Sequence, residues 1–259
     1  MPRKARVKSR NGIYHIMLRG ANRQEIFHDD GDCEKFLETM ARCKEKSGMG
    51  VFAWCLMNNH VHLLLKEGDE EISTTMKRLA VSYVAYYNWK YRTSGHLFQD
   101  RFKSECVENV RYLLTVIRYI HQNPVKAGIV DRAINWRWSS CLEYYGKTNR
   151  SSGMSDLGVI LSLFSDDFRV AKTRFMEFNE QKNKEECLGE DIYVRRRMSD
   201  EEARIEIRKF LGKYEIAQVK SLAKGERDEL LRKVKEVKGI SKRQVARILG
   251  VSSNLIYRA

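Results

Sequence analysis

Two histidines and a tyrosine carry the chemical interest of this chain. His60 and His62 lie one residue apart inside the apolar stretch FAWCLMNNHVHLLL, in a sequence with only six histidines. On an extended strand, side chains at i and i+2 point to one face, so both imidazoles share a side and Val61 takes the other. Two protonated imidazoles that close would repel, and a divalent cation is one group that holds such a pair neutral. The bland alternative is a pair satisfied by hydrogen bonds in a core or at a surface. Further on, RYIHQNPVKAGIV places Tyr119 and Asn123 at i and i+4, one above the other on a helix face. A phenol is a poor nucleophile at neutral pH, yet its oxygen attacks phosphorus when a Lewis acid polarises the phosphate. Asn123 offers a neutral oxygen to the same cation. The competing reading packs Tyr119 in the core and leaves Asn123 to end the helix before Pro124.

The elements that must position these residues can be read from periodicity. GIYHIMLRG alternates like a strand ending at Gly20, and CEKFLETMARCKEKSG has helical spacing closed by Gly48. Residues 51–66 read as a β run, EEISTTMKRLAVSYVAYYNWKYR as a helix and HLFQDRFKSECVE as extended chain. The helix VRYLLTVIRYIHQ is expected to stop at Asn123, because proline disfavours helical geometry in the residue before it. Helices interleaved with short half-buried strands imply an antiparallel α+β sandwich over residues 1–147. KTNRSSGMSD, 147–156, reads as a linker, and residues 148–195 as linker and helical connector.

Charge points to the partner. Lys and Arg outnumber Asp and Glu by 48 to 34, a net +14, which fits a polyanion such as nucleic acid or an anionic membrane surface. Residues 196–259 carry 17 basic and 9 acidic side chains, +8 of that total. Their end, SKRQVARILGVSSNLIYRA, reads as a helix-turn-helix over about 241–259. Ser241 caps the first helix, Gly250 makes the turn, and Ser252 or Ser253 caps the second. Arg243, Arg247, Ser253 and Arg258 are its candidate duplex-DNA contacts, against the alternative of a plain helical hairpin. No apolar run approaches the ~18 residues of a membrane span, and the basic start lacks the apolar region of a secretory signal. Six cysteines without CxxC spacing suit reduced thiols in a cytoplasmic protein.

Other residues divide between packing and contact. Tyr83, Tyr87 and Tyr91 form a helical stripe, read as core in preference to a base-stacking surface. Arg19, Asn22 and Arg23 flank Gly20 in a strand-end loop that could grip a DNA backbone, and Lys103 and Lys126 invite the same reading. Tyr112, two turns before Tyr119, lacks an amide four residues later. His121 points about 200° away from Tyr119, to packing or a phosphate contact. Nothing assigns His15 a task.

Several ordered motifs resemble one family. CLMNNHVHLLL resembles the histidine-hydrophobic-histidine strand of HUH single-tyrosine transposases. YLLTVIRYIHQNPVKAGIV is similar to the tyrosine helix of the REP-associated tyrosine transposases, as are YHIMLRGANRQEIFHDD, GHLFQDRFKSECVENVRYLL and WRWSSCLEYYG. The resemblance covers about residues 10–146. It implies a ferredoxin-like antiparallel sheet backed by helices, an HUH nuclease core, followed here by a C-terminal all-helical domain. It further implies that His60 and His62 hold Mg²⁺ or Mn²⁺, with Asn123, where other HUH transposases place Gln, as third ligand. Tyr119 would then attack a phosphate of single-stranded or hairpin DNA, giving a 5′-phosphotyrosyl enzyme and a free 3′-hydroxyl. By ligand chemistry alone Mn²⁺ suits two imidazoles at least as well as Mg²⁺, and Zn²⁺ binds them tighter. The alternative function is a non-catalytic DNA-binding regulator on a retired transposase core. Either version is expected in the cytoplasm with the nucleoid, as a monomer or homodimer.

Overall fold

A four-stranded antiparallel sheet organises the first half of the chain. The computed structural model describes residues 6–147, 153–181, 187, 198–237 and 239–259. The strands are β1 (Ile13–Arg19), β2 (Gly50–Met57), β3 (His60–Lys66) and β4 (Lys103–Cys106), in spatial order β2-β3-β1-β4. With helix α1 (Asp30–Ser47) between β1 and β2, and α2 (Ile72–Tyr91) between β3 and β4, this is the split βαβ pattern of ferredoxin-like folds.

The β run at 51–66 is two strands, not one. They form a hairpin closed by Asn58 and Asn59, in which Met57 faces His60 and Cys55 faces His62. Two polar residues that end the apolar alternation, and can satisfy turn backbone, explain the break.

Alternation sorts side chains to two cores. Ile16, Leu18, Trp54, Leu56, Val61, Leu63 and Leu65 face α1 and α2 and join their buried residues in one cluster. The α1 N-terminus is closed by an Asp29–Asp32 capping box. Lys90 Nζ of α2 donates to both carboxylates at 2.7 Å, and Tyr91 Oη donates to Asp32 at 2.6 Å, so the buried Asp32 is paired. Gly48, at φ 63°, ends α1 in the left-handed region that favours glycine. Tyr83, Tyr87 and Tyr91 are core, as their spacing indicated.

The opposite sheet face carries Ala53, Cys55, Met57 and Leu64 under α3 (Val110–Lys126). This helix runs through Pro124 for a further turn, contrary to the sequence expectation. Proline cannot donate to the Ile120 carbonyl, but Ala127 N–H bonds Asn123 O at 2.9 Å and Ile129 N–H bonds Pro124 O at 3.0 Å. Those bonds, with Pro124 buried beside Ile120, outweigh the local penalty. The helical connector beyond Leu157 consists of α5 (Leu157–Leu161) and α6 (Phe168–Glu180), with the short α4 (Cys141–Tyr144) before them. Ile160, Leu161, Ala171 and Phe175 complete the α3 layer, so this connector is packed against the sheet domain. Half of the linker stretch, 148–152, lies outside the described residues.

Helices α7 (Asp200–Leu211), α8 (Lys224–Lys235), α9 (Lys242–Ile248) and α10 (Ser253–Arg258) enclose a third cluster around Ile207, Leu231, Val245, Ile248 and Ile256. Ser241 Oγ accepts from Gln244 N–H at 3.2 Å, and Gly250 turns the chain at φ 66°. Ser252 is the N-cap residue of α10, without a side-chain cap bond.

Phe36 is fully buried against the edges of Phe27 and Tyr83. Phe36→Ala should destabilise the chain by about 3–5 kcal/mol, measured by urea unfolding, because the rigid sheet and α2 leave a cavity that cannot close.

Candidate active site

Strand pairing brings the site together. In the β1–β3 register Arg19 faces His60 and Met17 faces His62, so Arg19, Met17 and His15 share the histidine face. In the β1–β4 register Lys103 faces Met17 and Glu105 faces His15. Helix α3 crosses above, with Asn109 capping its start by accepting from Tyr112 N–H. Its apolar stripe, Leu113, Val116, Ile117 and Ile120, is buried on the sheet and fixes the rotation that turns Tyr119 and Asn123 inward.

The geometry is close. The His60 and His62 rings meet edge to face with centroids 5.0 Å apart, and His62 meets the Tyr119 ring edge-on at 5.4 Å. His60 Nε2 and Asn123 Oδ1 are 3.4 Å apart. Asn59 orients His60: its Oδ1 accepts from Nδ1–H at 2.6 Å, while its Nδ2 donates to Arg23 O at 3.3 Å. His15 Nε2 lies 3.1 Å from His62 Nδ1, and Glu105 Oε2 lies 4.0 Å beyond, from His15 Nδ1. Sequence reading left both His15 and Asn59 without a role. The cross-strand diagonal of β1 and β3 makes His15 a neighbour of His62, and only the register reveals it.

Electrostatics keep these rings neutral. Burial, then the positive Arg19, lowers the His60 pKa to about 4, against a smaller opposing effect of the Asn123 oxygen, which would accept from the protonated ring. Burial, then His60, His15 and Arg19, pulls His62 well below the ordinary range. A neutral imidazole has one N–H, and that of His60 is committed to Asn59. Its Nε2 lone pair therefore faces the oxygen of Asn123, two acceptors pointed at each other. With Nδ1 of His62 bonded toward His15, both histidines can present Nε2, the arrangement by which outer partners fix metal-binding tautomers. Two imidazoles and an amide oxygen fit a borderline divalent cation such as Mn²⁺. Among the described residues, no group of three His, Cys, Asp or Glu side chains forms a metal-binding cluster.

The remaining candidates fall in two places. Lys126 Nζ lies 4.7 Å from the centre of the Tyr119 ring, reached because α3 continues past Pro124. Arg19 and Lys103 lie on the site's sheet face, and Asn22 and Arg23 form the adjoining turn with left-handed φ of 53° and 60°. Arg243, Ser253 and Arg258 belong to α9 and α10, in the C-terminal unit. Arg247 is ion-paired with Asp200, its Nη2 at 2.6 Å from Oδ1, so its charge serves the packing of α7 on α9. His121 is buried between Asn179 and Ser140, with both ring nitrogens within hydrogen-bond distance of them. Tyr112, half-buried outside the histidine pair, is held near Glu105, and burial, then that carboxylate, raises its pKa.

A histidine-hydrophobic-histidine strand set against a tyrosine helix on a ferredoxin-like sheet defines the single-tyrosine HUH class. Residues 8–123 match the family model described as transposase IS200-like. A REP-associated tyrosine transposase of Haemophilus influenzae is 29% identical over 144 residues, 51% of this chain and 81% of the relative. One from Escherichia coli K12 is 27% identical over 92 residues, 35% of this chain and 53% of the relative. A solved REP-associated tyrosine transposase bound to a REP hairpin shares the fold at TM-score 0.50 and 18% identity, covering 61% of this chain and 93% of that one.

Acid should unfold this protein early. Burial lowers His15 and His28 to about 3 and His121 to about 4. Between those values and the unfolded value near 6.5, only the unfolded chain takes up the proton. The contribution of these groups is therefore complete above pH 6.5 and is lost as the pH falls toward 3. Urea melts from pH 7 to pH 4 should show a loss on the order of a few kcal/mol. His121→Gln should flatten part of that slope.

Proposed function

We propose that this chain is a metal-dependent single-strand DNA endonuclease and strand transferase that cleaves and rejoins hairpin-repeat DNA. The observation that carries the reading is the convergence of Tyr119 and Asn123 from α3 on His60 and His62 from β3. The family match and the hairpin in the related solved structure support it.

His60, His62 and Asn123 would hold Mg²⁺ or Mn²⁺, which when bound polarises the phosphate and neutralises charge on its oxygens. The Tyr119 oxygen attacks phosphorus and loses its proton to water. The P–O3′ bond breaks, and the departing 3′-oxygen takes up a proton. The phosphate stays on the enzyme as a 5′-phosphotyrosine, which another 3′-hydroxyl can reclaim in the reverse sense. Lys126, beside the Tyr119 ring, favours the phenolate as it forms, and Arg19 and Lys103 attract the backbone phosphates toward the sheet face. Helices α9 and α10 act as a helix-turn-helix that adds a duplex contact through Arg243, Ser253 and Arg258, with the local concentration that a tethered second module supplies.

Labelled hairpin oligonucleotides incubated with Mn²⁺ should give a covalent protein–DNA adduct on denaturing gels. Tyr119→Phe should abolish it, a loss of about 10³-fold or more. His60→Ala and EDTA should each suppress it. A persistent adduct in Tyr119→Phe would assign the nucleophile elsewhere. No adduct across a broad hairpin library, with tight duplex binding retained, would favour the non-catalytic regulator.

Replacing Arg243 and Arg258 with Ala should weaken duplex binding and lower the slope of log K against log salt by about 1 for each lost phosphate contact. Adduct formation on a short hairpin should persist.

A further inference from the structure

The C-terminal unit does not hang from the sheet domain. It is seated on the loop that follows β1, and that loop is hydrogen-bonded to Asn59, the partner of His60. The contact is built from buried groups. Glu25, fully buried, is ion-paired with Arg204 of α7. Arg204 Nη2 also donates to His28 Nδ1 at 3.1 Å. Beside them Gln24 is buried, its Nε2 donating to Leu97 O at 3.0 Å and its Oε1 accepting from Lys220 Nζ at 3.4 Å. Lys220 Nζ also lies 5.4 Å from the centre of the Tyr87 ring. The turn between α9 and α10 presses on the same residue: a Cβ at Gly250 would overlap Gln24 Oε1 and lie 3.1 Å from its Cβ.

From Gln24 the path to the site is short and polar. The loop 20–27 is bonded to the β2–β3 turn at both ends. Gly20 N–H donates to Asn59 O at 2.9 Å, and Ile26 N–H donates to Asn58 O at 2.8 Å. Between them Arg23 O accepts from Asn59 Nδ2, and Asn59 Oδ1 takes the Nδ1–H of His60. The loop is held in an unfavourable shape, with the consecutive non-glycine residues Asn22 and Arg23 both left-handed. Such a conformation persists only where surrounding contacts over-determine it.

We infer that Asn59 is a positioning residue for His60 and that the C-terminal unit, through Arg204–Glu25 and Gly250–Gln24, sets the loop that fixes Asn59. The unit proposed to read duplex DNA is thus also a structural part of the metal site. The inference rests on the metal-dependent reading above for its consequence, but its first readout does not need a metal. A partner that orients a ligand imidazole contributes ~10–100-fold to metal affinity.

The test uses the full chain with and without Mn²⁺. Long-range ¹H–¹⁵N spectra of the metal-free protein should show His60 as the Nδ1–H tautomer. Asn59→Ala should mix the tautomers and weaken Mn²⁺ binding by calorimetry ~10–100-fold. Asn59→Asp, which keeps the acceptor for His60 but loses the donor to Arg23 O, should restore both only in part. Gln24→Ala and Arg204→Met should each shift His60 toward mixed tautomers and weaken Mn²⁺ several-fold. The double variant Glu25→Gln/Arg204→Met avoids a stranded buried charge and should behave alike. His60 spectra and Mn²⁺ affinity unchanged in the folded tail-contact variants would overturn the link to the C-terminal unit. An unchanged Asn59→Ala would overturn the positioning role itself. Intact tautomer effects with no Mn²⁺ binding in the wild type would instead overturn the metal reading alone.

Discussion

The antiparallel pairing of β1 with β3 is the constraint on which the site depends. Register in a pleated sheet has period two, and a slip of one residue would send every side chain to the other face. Here His62 stands opposite Met17, and Val61, Leu63 and Leu65 are committed to the core under α1 and α2. Those apolar residues hold the register, since moving them would expose one core and bury charge in the other. The histidines are aimed by the hydrophobic effect acting on their neighbours.

The second face shows how burial and chemistry are reconciled. The α3 stripe needs an apolar sheet surface, and Ala53, Cys55, Met57 and Leu64 supply it. Into that surface the chain inserts three imidazoles, an amide and a phenol. Each imidazole is kept neutral by desolvation, and His15 and Asn59 absorb part of the hydrogen-bonding demand of His62 and His60. Cations sit at the margin, on Arg19, Lys103 and Lys126, where water or phosphate can reach them. This division suits a site that meets a charged backbone from outside while holding its ligands dry.

The C-terminal unit changes the meaning of the molecule's parts. Its internal core of Ile207, Leu231, Val245 and Ile256 makes it a packed unit, and its contact with the sheet domain is made of paired and buried polar groups. A partner truncated at such a contact strands a buried charge, so removal of residues 196–259 touches the loop bonded to Asn59 as well as the proposed DNA contacts. Point changes at exposed Arg243 and Arg258 separate the two roles more cleanly than truncation.

Much of this was legible in the chain itself. Alternation gave His60 and His62 one face, the i and i+4 spacing joined Tyr119 to Asn123, and the tyrosine stripe at 83, 87 and 91 announced its burial. These are short-range consequences of strand and helix geometry, which sequence spacing encodes directly. Elements misread were those where local preference lost to context: the helix that continues through Pro124, and the strand pair turned at Asn58 and Asn59. The positions of His15, Asn59 and Lys126 around the site, the diversion of Arg247 to Asp200, and the seating of Gly250 on Gln24 were decided by tertiary structure alone. Each depends on which strands pair, in what register, and which helix lies across them. Such contacts join residues 47, 47 and up to 226 positions apart in the chain, as in His15 with His62, Arg247 with Asp200, and Gly250 with Gln24. No periodicity spans distances of that kind, because only the folded chain brings those residues together.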